Sequence, residues 1–194
     1  MAHINSIGAG IYSDLAVSTP ATALTNVQIA ALDTAAEFQA LFATEIDTTG
    51  TKVANSFVRI KNVREFPAMG TAPNLVNVPV FGQKTSSQVQ GQSDPTSMEL
   101  TINYVPADWA KGTVLGDAVG DNVARVFRFA LMNSKPTAYI SSATVGAGLN
   151  SVQNSQYYWV GKIEALQVNP QLTDANTATI TISQQSDLFG AYTE

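Results

Sequence analysis

Cysteine is absent from the chain, and histidine occurs once, as His3. Without cysteine there can be no disulfide, no thiolate metal ligand and no cysteine nucleophile. Zinc sites built from histidine and cysteine are excluded by the same count. A Ser-His-Asp triad would have to use His3, and a histidine so near a chain end is not held in the orientation that a general base needs. The commonest catalytic and metal sites are therefore removed.

Charge is scarce as well. Asp, Glu, Lys and Arg make up 13% of the 194 residues, whereas average globular proteins have roughly 25%. A monomer normally keeps its surface charged, but a surface covered by copies of the same chain need not be charged. The formal net charge is −5, and tight nucleic-acid binding needs a basic groove. The composition favours self-association and argues against tight binding of nucleic acid.

Motifs for nucleotides are incomplete. Residues 8–10 and 146–148 each read Gly-Ala-Gly without the third glycine of a dinucleotide-binding turn, and 116–120 lacks the Lys-Ser/Thr ending of a P-loop. Asp108, beside Trp109, is the candidate carboxylate for glycoside hydrolysis, but the sequence identifies no partner carboxylate for it. We therefore expect no enzyme activity, with no catalytic residue, cofactor-binding residue or metal ligand.

Targeting signals are not visible either. Residues 1–5, MAHIN, lack the basic start and apolar core of a signal peptide. No apolar run reaches the ~18 residues that a bilayer span requires. A length of 194 residues suits one domain of ~100–200 residues, with or without an arm. We expect a soluble chain that is not exported.

The first part of the chain differs from the rest. Residues 1–56 are rich in Ala, Thr, Ser and Gly and predict an N-terminal arm. Within them, the capping box from Thr34 to Glu37 precedes apolar residues at helical spacing and predicts a short helix over about 34–44. Two interpretations stay open: the arm docks on a neighbouring subunit, or its helix packs on its own domain.

A β domain is predicted over 57–194. Its first strand is Phe57–Val63, and the Pro- and Gly-rich stretch 64–96 predicts a long loop with short strands near Val78–Phe81. Residues 98–104 alternate, so that Met98, Leu100 and Ile102 share one face and Glu99, Thr101 and Asn103 the other.

One long helix is expected over about 115–132. Apolar residues from Leu115 to Leu131 form a stripe at helical spacing, and Asp121 and Arg125 form an i,i+4 pair. Three strands follow, at 137–144, 156–167 and 175–184, with Gly161 marking a bulge or a close approach. The predicted fold is mainly β: an antiparallel β-sandwich or small barrel with one flanking helix.

The second half of the chain resembles the major tail tube proteins of long-tailed, siphovirus-like bacteriophages. The stretch 100–108, LTINYVPAD, resembles the family's strand and aromatic-x-Pro step. Residues 137–140 resemble its short strand, 158–166 its aromatic-x-Gly strand, and 177–182 its last core strand. The long Ala/Thr-rich N-terminal segment departs from the family pattern.

The resemblance implies a structural subunit of the virion tail. Six subunits would close a ring, and rings assembled in the bacterial host cytoplasm would stack into a hollow tube that conducts the genome during ejection. Its partners would be other copies of the chain, the tail tip or terminator proteins and the tape measure protein, with DNA passing through without tight binding and no membrane involved.

Two sets of residues are candidates for contacts in such a tube. A projecting loop is needed for ring stacking, and the one long uncommitted loop supplies the first set: Gln83, Lys84, Gln88, Gln90, Gln92 and Asp94. The polar face of the strand 98–104 supplies the candidate lumen residues Glu99, Thr101 and Asn103, although the same face could meet outer solvent.

Other functions remain possible from sequence. A monomeric or trimeric β-sandwich binding module, such as a capsid decoration protein or a carbohydrate-binding domain, would share the composition. The tube of a related injection machine would share the fold as well.

Overall fold

The computed structural model describes residues 13–18, 57–70, 74–91, 96–133 and 154–192. In these ranges the chain is mainly β, as predicted. The strands and the helix are β1 Asp14–Ser18, β2 Phe57–Arg59, β3 Val63–Glu65, β4 Leu75–Val78, β5 Ser87–Gln90, β6 Ser97–Asn103, α1 Val114–Ala118, β7 Arg125–Met132, β8 Asn154–Asn169, β9 Thr177–Gln184 and β10 Phe189–Tyr192.

Eight of the strands form one antiparallel sheet. Their order is β2-β1-β7-β8-β9-β6-β3, and β10 also pairs with β8. The edge strands β2 and β3 follow each other in the chain, since Arg59 and Val63 are four residues apart. Their Cα atoms are therefore within ~15 Å of each other. The sheet has to curl to bring its edges together, and it forms a half-barrel.

The link between the edges explains why the predicted strand Phe57–Val63 is split. The backbone N–H of Ile60 donates to the carbonyl of Leu15 on β1 at 2.8 Å, and Asn103 on β6 donates to the carbonyl of Asn62 at 2.9 Å. Between these two contacts Asn62 adopts a φ of 59°, a left-handed conformation that asparagine tolerates. The segment thus changes its pairing from one end of the sheet to the other.

The concave side of the sheet holds the hydrophobic core. Alternate residues of each strand point into it, as period-two patterning requires. The predicted inward residues Met98, Leu100 and Ile102 are all buried. The stacked rings of Phe127 and Trp159, with centroids 5.5 Å apart, lie in the same core. The other core residues are Leu15, Val17, Val58, Ile60, Trp109, Leu115, Ala118, Phe129, Ile163, Ala178, Ile180 and Ile182.

The predicted long helix over 115–132 is wrong. Only Val114–Ala118 is helical, and Arg125–Met132 is strand β7. The helix ends at Ala118 because Val119 is already extended. Gly120 then takes a left-handed φ of 71°, and its N–H donates to the carbonyl of Ile163 on β8 at 2.9 Å. Every residue of β7 except the half-buried Leu131 is buried, so both faces are covered. A strand buried on both faces is apolar almost throughout, and its residues can match a helical stripe.

The closing hairpin was predicted more accurately. Strands β8 and β9 pair over the range where two strands were expected, and the turn between them contains the predicted residues Asp174–Asn176. Gly161 marks a close approach, because an added Cβ would lie 2.7 Å from the carbonyl oxygen of Ser183. The register shift of the pair lies slightly further on, between Ile163 and Ala165.

Three sequence predictions concern residues outside these ranges or only partly inside them. The helix over 34–44 and the strand over 137–144 lie outside the described residues. Of the predicted arm 1–56, the described part is 13–18, and there Asp14–Ser18 forms β1 between β2 and β7.

Candidate self-association surfaces

A separate hairpin lies within the predicted loop 64–96. Strands β4 and β5 pair with each other in a two-stranded sheet, with Leu75 opposite Gln90 and Val78 opposite Ser87. All residues from 74 to 90 are exposed. An isolated two-stranded hairpin is marginally stable in water at best. This hairpin therefore lacks the stabilisation that pairing with a larger sheet would give it.

The hairpin is well formed at both of its ends. At the base, the N–H of Gly91 donates to the carbonyl of Asn74 at 2.6 Å. At the turn, the N–H of Gln83 donates to the carbonyl of Val80 at 3.2 Å, and Gly82 takes a φ of 83° that suits the third position of a type II turn. Phe81 stands at the second position of this turn and is fully exposed.

Apolar side chains dominate the hairpin surface. Val76 lies opposite Val89, and Val78 is on the same face of β4 because alternate residues share a face. Five apolar residues of the hairpin are 40–60% exposed and Phe81 is fully exposed. We define these six as the hairpin patch: Leu75, Val76, Val78, Val80, Phe81 and Val89.

The predicted inter-ring residues are partly in this hairpin. Gln83, Lys84, Gln88 and Gln90 are all exposed on it. Gln92 and Asp94 lie outside the described residues. Sequence reasoning selected the polar residues of the loop and missed the apolar ones. The signal was present, since Val76, Val78 and Val80 alternate with other residues up to the turn.

A second apolar surface is formed by the tip of the β8–β9 hairpin and by the chain that follows β6. Its residues are Val105, Val168 and Leu172, which are 39%, 42% and 105% exposed; we define them as the tip patch. Asn176 holds the parts of this tip together. Its carbonyl accepts from the N–H of Tyr104 at 2.8 Å, and its Oδ1 accepts from the N–H of Gln171 at 2.9 Å. Val105 and Leu172 each follow one of these tethered residues.

The convex side of β6 and β9 is polar. Glu99 lies opposite Thr181, Thr101 opposite Thr179, and Asn103 opposite Thr177. Glu99 and Asn103 are exposed, and Thr101 is half-buried. The three predicted lumen residues therefore share one face, on the side away from the core. We define the polar face as Glu99, Thr101, Asn103, Thr179, Thr181 and Ser183.

Few charges accompany the polar face. Strand β9 has none and β6 has Glu99 alone, while the adjoining half of β8 adds Lys162 and Glu164. Glu164 accepts from the hydroxyl of Ser183 at 2.5 Å, and the ammonium of Lys162 donates to Oδ1 of Asn122 at 2.7 Å. Hydroxyl and amide groups thus make up most of this surface, which offers no basic groove for phosphates.

A buried charged cluster lies on the other part of the convex side. Asp14 on β1 is 3% exposed and forms an ion pair with Arg59 on β2. Arg128 on β7 is also buried and attracts the same carboxylate. Burial raises the pKa of Asp14, and the attraction of Arg59 and then Arg128 opposes this shift. Such a cluster joins three neighbouring strands through charge.

The candidate carboxylate for glycoside hydrolysis has a structural environment. Oδ1 of Asp108 accepts from the ammonium of Lys61 at 3.0 Å, and the neighbouring Trp109 is buried in the core. Among the described residues there is no group of three or more His, Asp or Glu side chains that could hold a metal ion. The described ranges also contain no helix that is long and apolar enough to cross a membrane.

Comparison with known proteins gives structural neighbours only. No protein-family model and no curated protein matches the chain. The solved structures similar to it include the tail tube of SPP1, with a TM-score of 0.46 and 12% sequence identity over 97% of this chain and 81% of that one. An Hcp protein is similar with a TM-score of 0.31 and 12% identity, over 89% of this chain and 87% of that one.

Proposed function

We propose that the chain is a structural subunit that assembles into hexameric rings, which stack into a hollow phage tail tube for genome ejection. The observation that carries this proposal is the exposed β4–β5 hairpin with its six apolar side chains. The resemblance of residues 100–108, 137–140, 158–166 and 177–182 to tail tube proteins gives the assembly its form. The subunit would be built into the virion tail after synthesis in the host cytoplasm.

The hairpin patch makes a folded monomer an unfavourable end state. Full burial of an aliphatic or aromatic side chain contributes about 1.5–3 kcal/mol. The five aliphatic residues of the patch are 40–60% exposed and Phe81 is fully exposed. Leu75 lies on the opposite face of β4 from Val76 and Val78. Contact through the valines would therefore contribute about 1 kcal/mol for each of the four and about 2 kcal/mol for Phe81. A gain of about 6 kcal/mol per copy, made by all six copies of a ring at once, supports cooperative stacking of rings.

The edges of the half-barrel support lateral contacts within a ring. Among the described strands, β2 pairs with β1 alone and β3 with β6 alone, so these two strands are the edges of the described sheet. Edge strands tend to pair with another chain unless something protects them. Here β2 and β3 are three residues long, which is short enough to suppress aggregation and sufficient for register between subunits.

The polar face supports a lining through which DNA slides. Glu99, Thr101 and Asn103 present one carboxylate and no cation. At a net charge of −5 per chain, six chains carry 6 × −5 = −30, and each lysine or arginine in a lumen would add a salt-dependent attraction for phosphate.

The proposed partners are tail tip or terminator proteins and the tape measure protein, which would meet the tube at its ends and in its lumen.

Sedimentation velocity over a range of concentrations tests the proposal. The triple variant Val76→Ser/Phe81→Ser/Val89→Ser removes the centre of the hairpin patch. The control Asn77→Ser changes a residue on the opposite face of the same hairpin from Val76 and Val89. Wild type and control should sediment as long polymers, whereas the triple variant should stop at single rings or smaller species with an unchanged circular dichroism spectrum. Assembly of the triple variant at the wild-type level would contradict the role of the hairpin, and a monomeric wild type would favour a binding module.

A further inference from the structure

The large apolar side chains that are exposed in the described residues fall into two groups. Six of the nine belong to the hairpin patch and the other three to the tip patch. Scattered surface apolar residues need no explanation, but clustering in two projecting hairpins does. The tip patch has no role in the function proposed above, although Leu172 is fully exposed.

The chain segments that carry the two patches connect to the sheet at opposite ends of β6. Asn103, at one end, lies opposite Thr177, the first residue after the tip. Ser97, at the other end, lies opposite Ser183 and follows the chain that returns from the hairpin. Strand β3 is antiparallel to β6, with Val63 opposite Ile102 and Glu65 opposite Thr101. The chain that leads into the hairpin therefore runs toward the Ser97 end of β6. Seven residues of strand separate the two ends by about 20 Å.

The charges of the two elements are complementary. Lys84 is the one charged residue among 74–91, and Asp174 is the one charged residue among 165–176. Both side chains are exposed. Two hairpins of this kind would repel if they met like to like and attract if they met crosswise. Contact between unlike ends is a heterologous contact, and a repeated heterologous contact along an axis produces a stack rather than a closed pair.

We propose that the tip patch of one copy receives the hairpin patch of the next copy, so that rings stack head to tail. This inference rests on the proposed function and identifies the acceptor of the hairpin. Phe81 would enter beside Leu172 and Val168, and Lys84 would approach Asp174. The assembly is then polar, with free hairpin patches at one end and free tip patches at the other.

Cysteine pairing tests this arrangement without interference, because the chain has no cysteine of its own. The double variant Phe81→Cys/Leu172→Cys places one thiol on each patch. The control Phe81→Cys/Asp187→Cys places both thiols near the hairpin end, since exposed Asp187 follows β9 beyond the Ser97–Ser183 pair. Both proteins are oxidised under assembly conditions, separated on denaturing gels without reductant and viewed by negative-stain electron microscopy.

The expected result is a ladder of covalent multimers from the first variant, at least tenfold more abundant than from the control. The Lys84→Glu change in the first variant should weaken the ladder, and Lys84→Glu with Asp174→Lys should restore it. Tubes in the microscope without a ladder would overturn the head-to-tail contact and leave the proposed function standing. Separate monomers without tubes would overturn both. A strong dimer from Phe81→Cys alone would show that hairpins meet like to like and would also overturn the inference.

Discussion

Gly161 stands where three strands meet, and replacing it by alanine is the sharpest test of the fold. It lies opposite Arg125 of β7 and Gln184 of β9. A Cβ at this position would be 2.7 Å from the carbonyl oxygen of Ser183 and 3.2 Å from Cε2 of Phe127. Carbon–oxygen contacts between strands are about 3.3–3.6 Å, so the neighbours would have to move by roughly 0.6 Å.

Neither neighbour can move freely. Phe127 is completely buried and stacked on Trp159, and Ser183 is fixed by its pairing with Ser97 on β6. Inserting a methyl group into a tightly packed site costs about 1–3 kcal/mol, while Gly→Ala recovers about 0.4–1 kcal/mol through the unfolded chain. We expect Gly161→Ala to lose about 1–2 kcal/mol, which lowers Tm by about 2–8 °C in a chain of this length.

Urea denaturation followed by circular dichroism at low protein concentration measures this loss, together with a thermal scan. Gly91→Ala is the matched control, because Gly91 lies in the exposed hairpin and has an ordinary φ. The nearest atom to its added Cβ would be the carbonyl oxygen of Asn74, at 3.2 Å. The control should change the free energy of unfolding by less than about 1 kcal/mol. Equal stability of Gly161→Ala and wild type would refute the close approach of β8 to β9.

Two further predictions concern charge. Glu99→Lys should leave assembly intact but make the tubes retain DNA at low salt, because a ring of six added cations attracts phosphate and salt screens the attraction. Filter binding of DNA at several salt concentrations measures this retention. If the tubes retain no DNA at low salt, Glu99 lies outside the lumen. Asp14→Ala should cost about 1–3 kcal/mol of unfolding free energy, because it removes the ion pair with Arg59 and the attraction for Arg128. Burial raises the pKa of Asp14 in the folded state. At pH values between its ordinary and its raised pKa, the folded protein therefore binds more protons than the unfolded chain. The contribution of Asp14 to stability is most favourable below this pH range and falls as the pH rises through it. Denaturation from pH 4 upward should show this fall in wild type and not in Asp14→Asn, and parallel pH profiles would contradict it.

The parts of the fold that follow from local patterning were predicted correctly. Strand β6 alternates between apolar and polar residues because one of its faces meets the core and the other does not. The β8–β9 hairpin was visible from β-branched alternation on both sides of Asp174–Asn176. The candidate lumen residues were assigned to one face by the same alternation, and the register places them there.

The parts that depend on distant partners could not be predicted. Strand β7 is buried on both faces, so it has no alternation, and its apolar residues imitated a helical stripe. Strand β1 is a five-residue stretch, DLAVS, whose strand state depends on pairing with β2 and β7. The apolar surface of the β4–β5 hairpin was missed because the Pro- and Gly-rich composition of 64–96 indicated a long loop, with only short strands near Val78–Phe81.

Negative-stain electron microscopy of the purified wild-type protein, across protein and salt concentrations, tests the tube proposal most directly. The account predicts hollow tubes or rings with six-fold symmetry in end-on views, formed without any other protein. Dispersed single subunits at the highest concentration under every salt condition would contradict it.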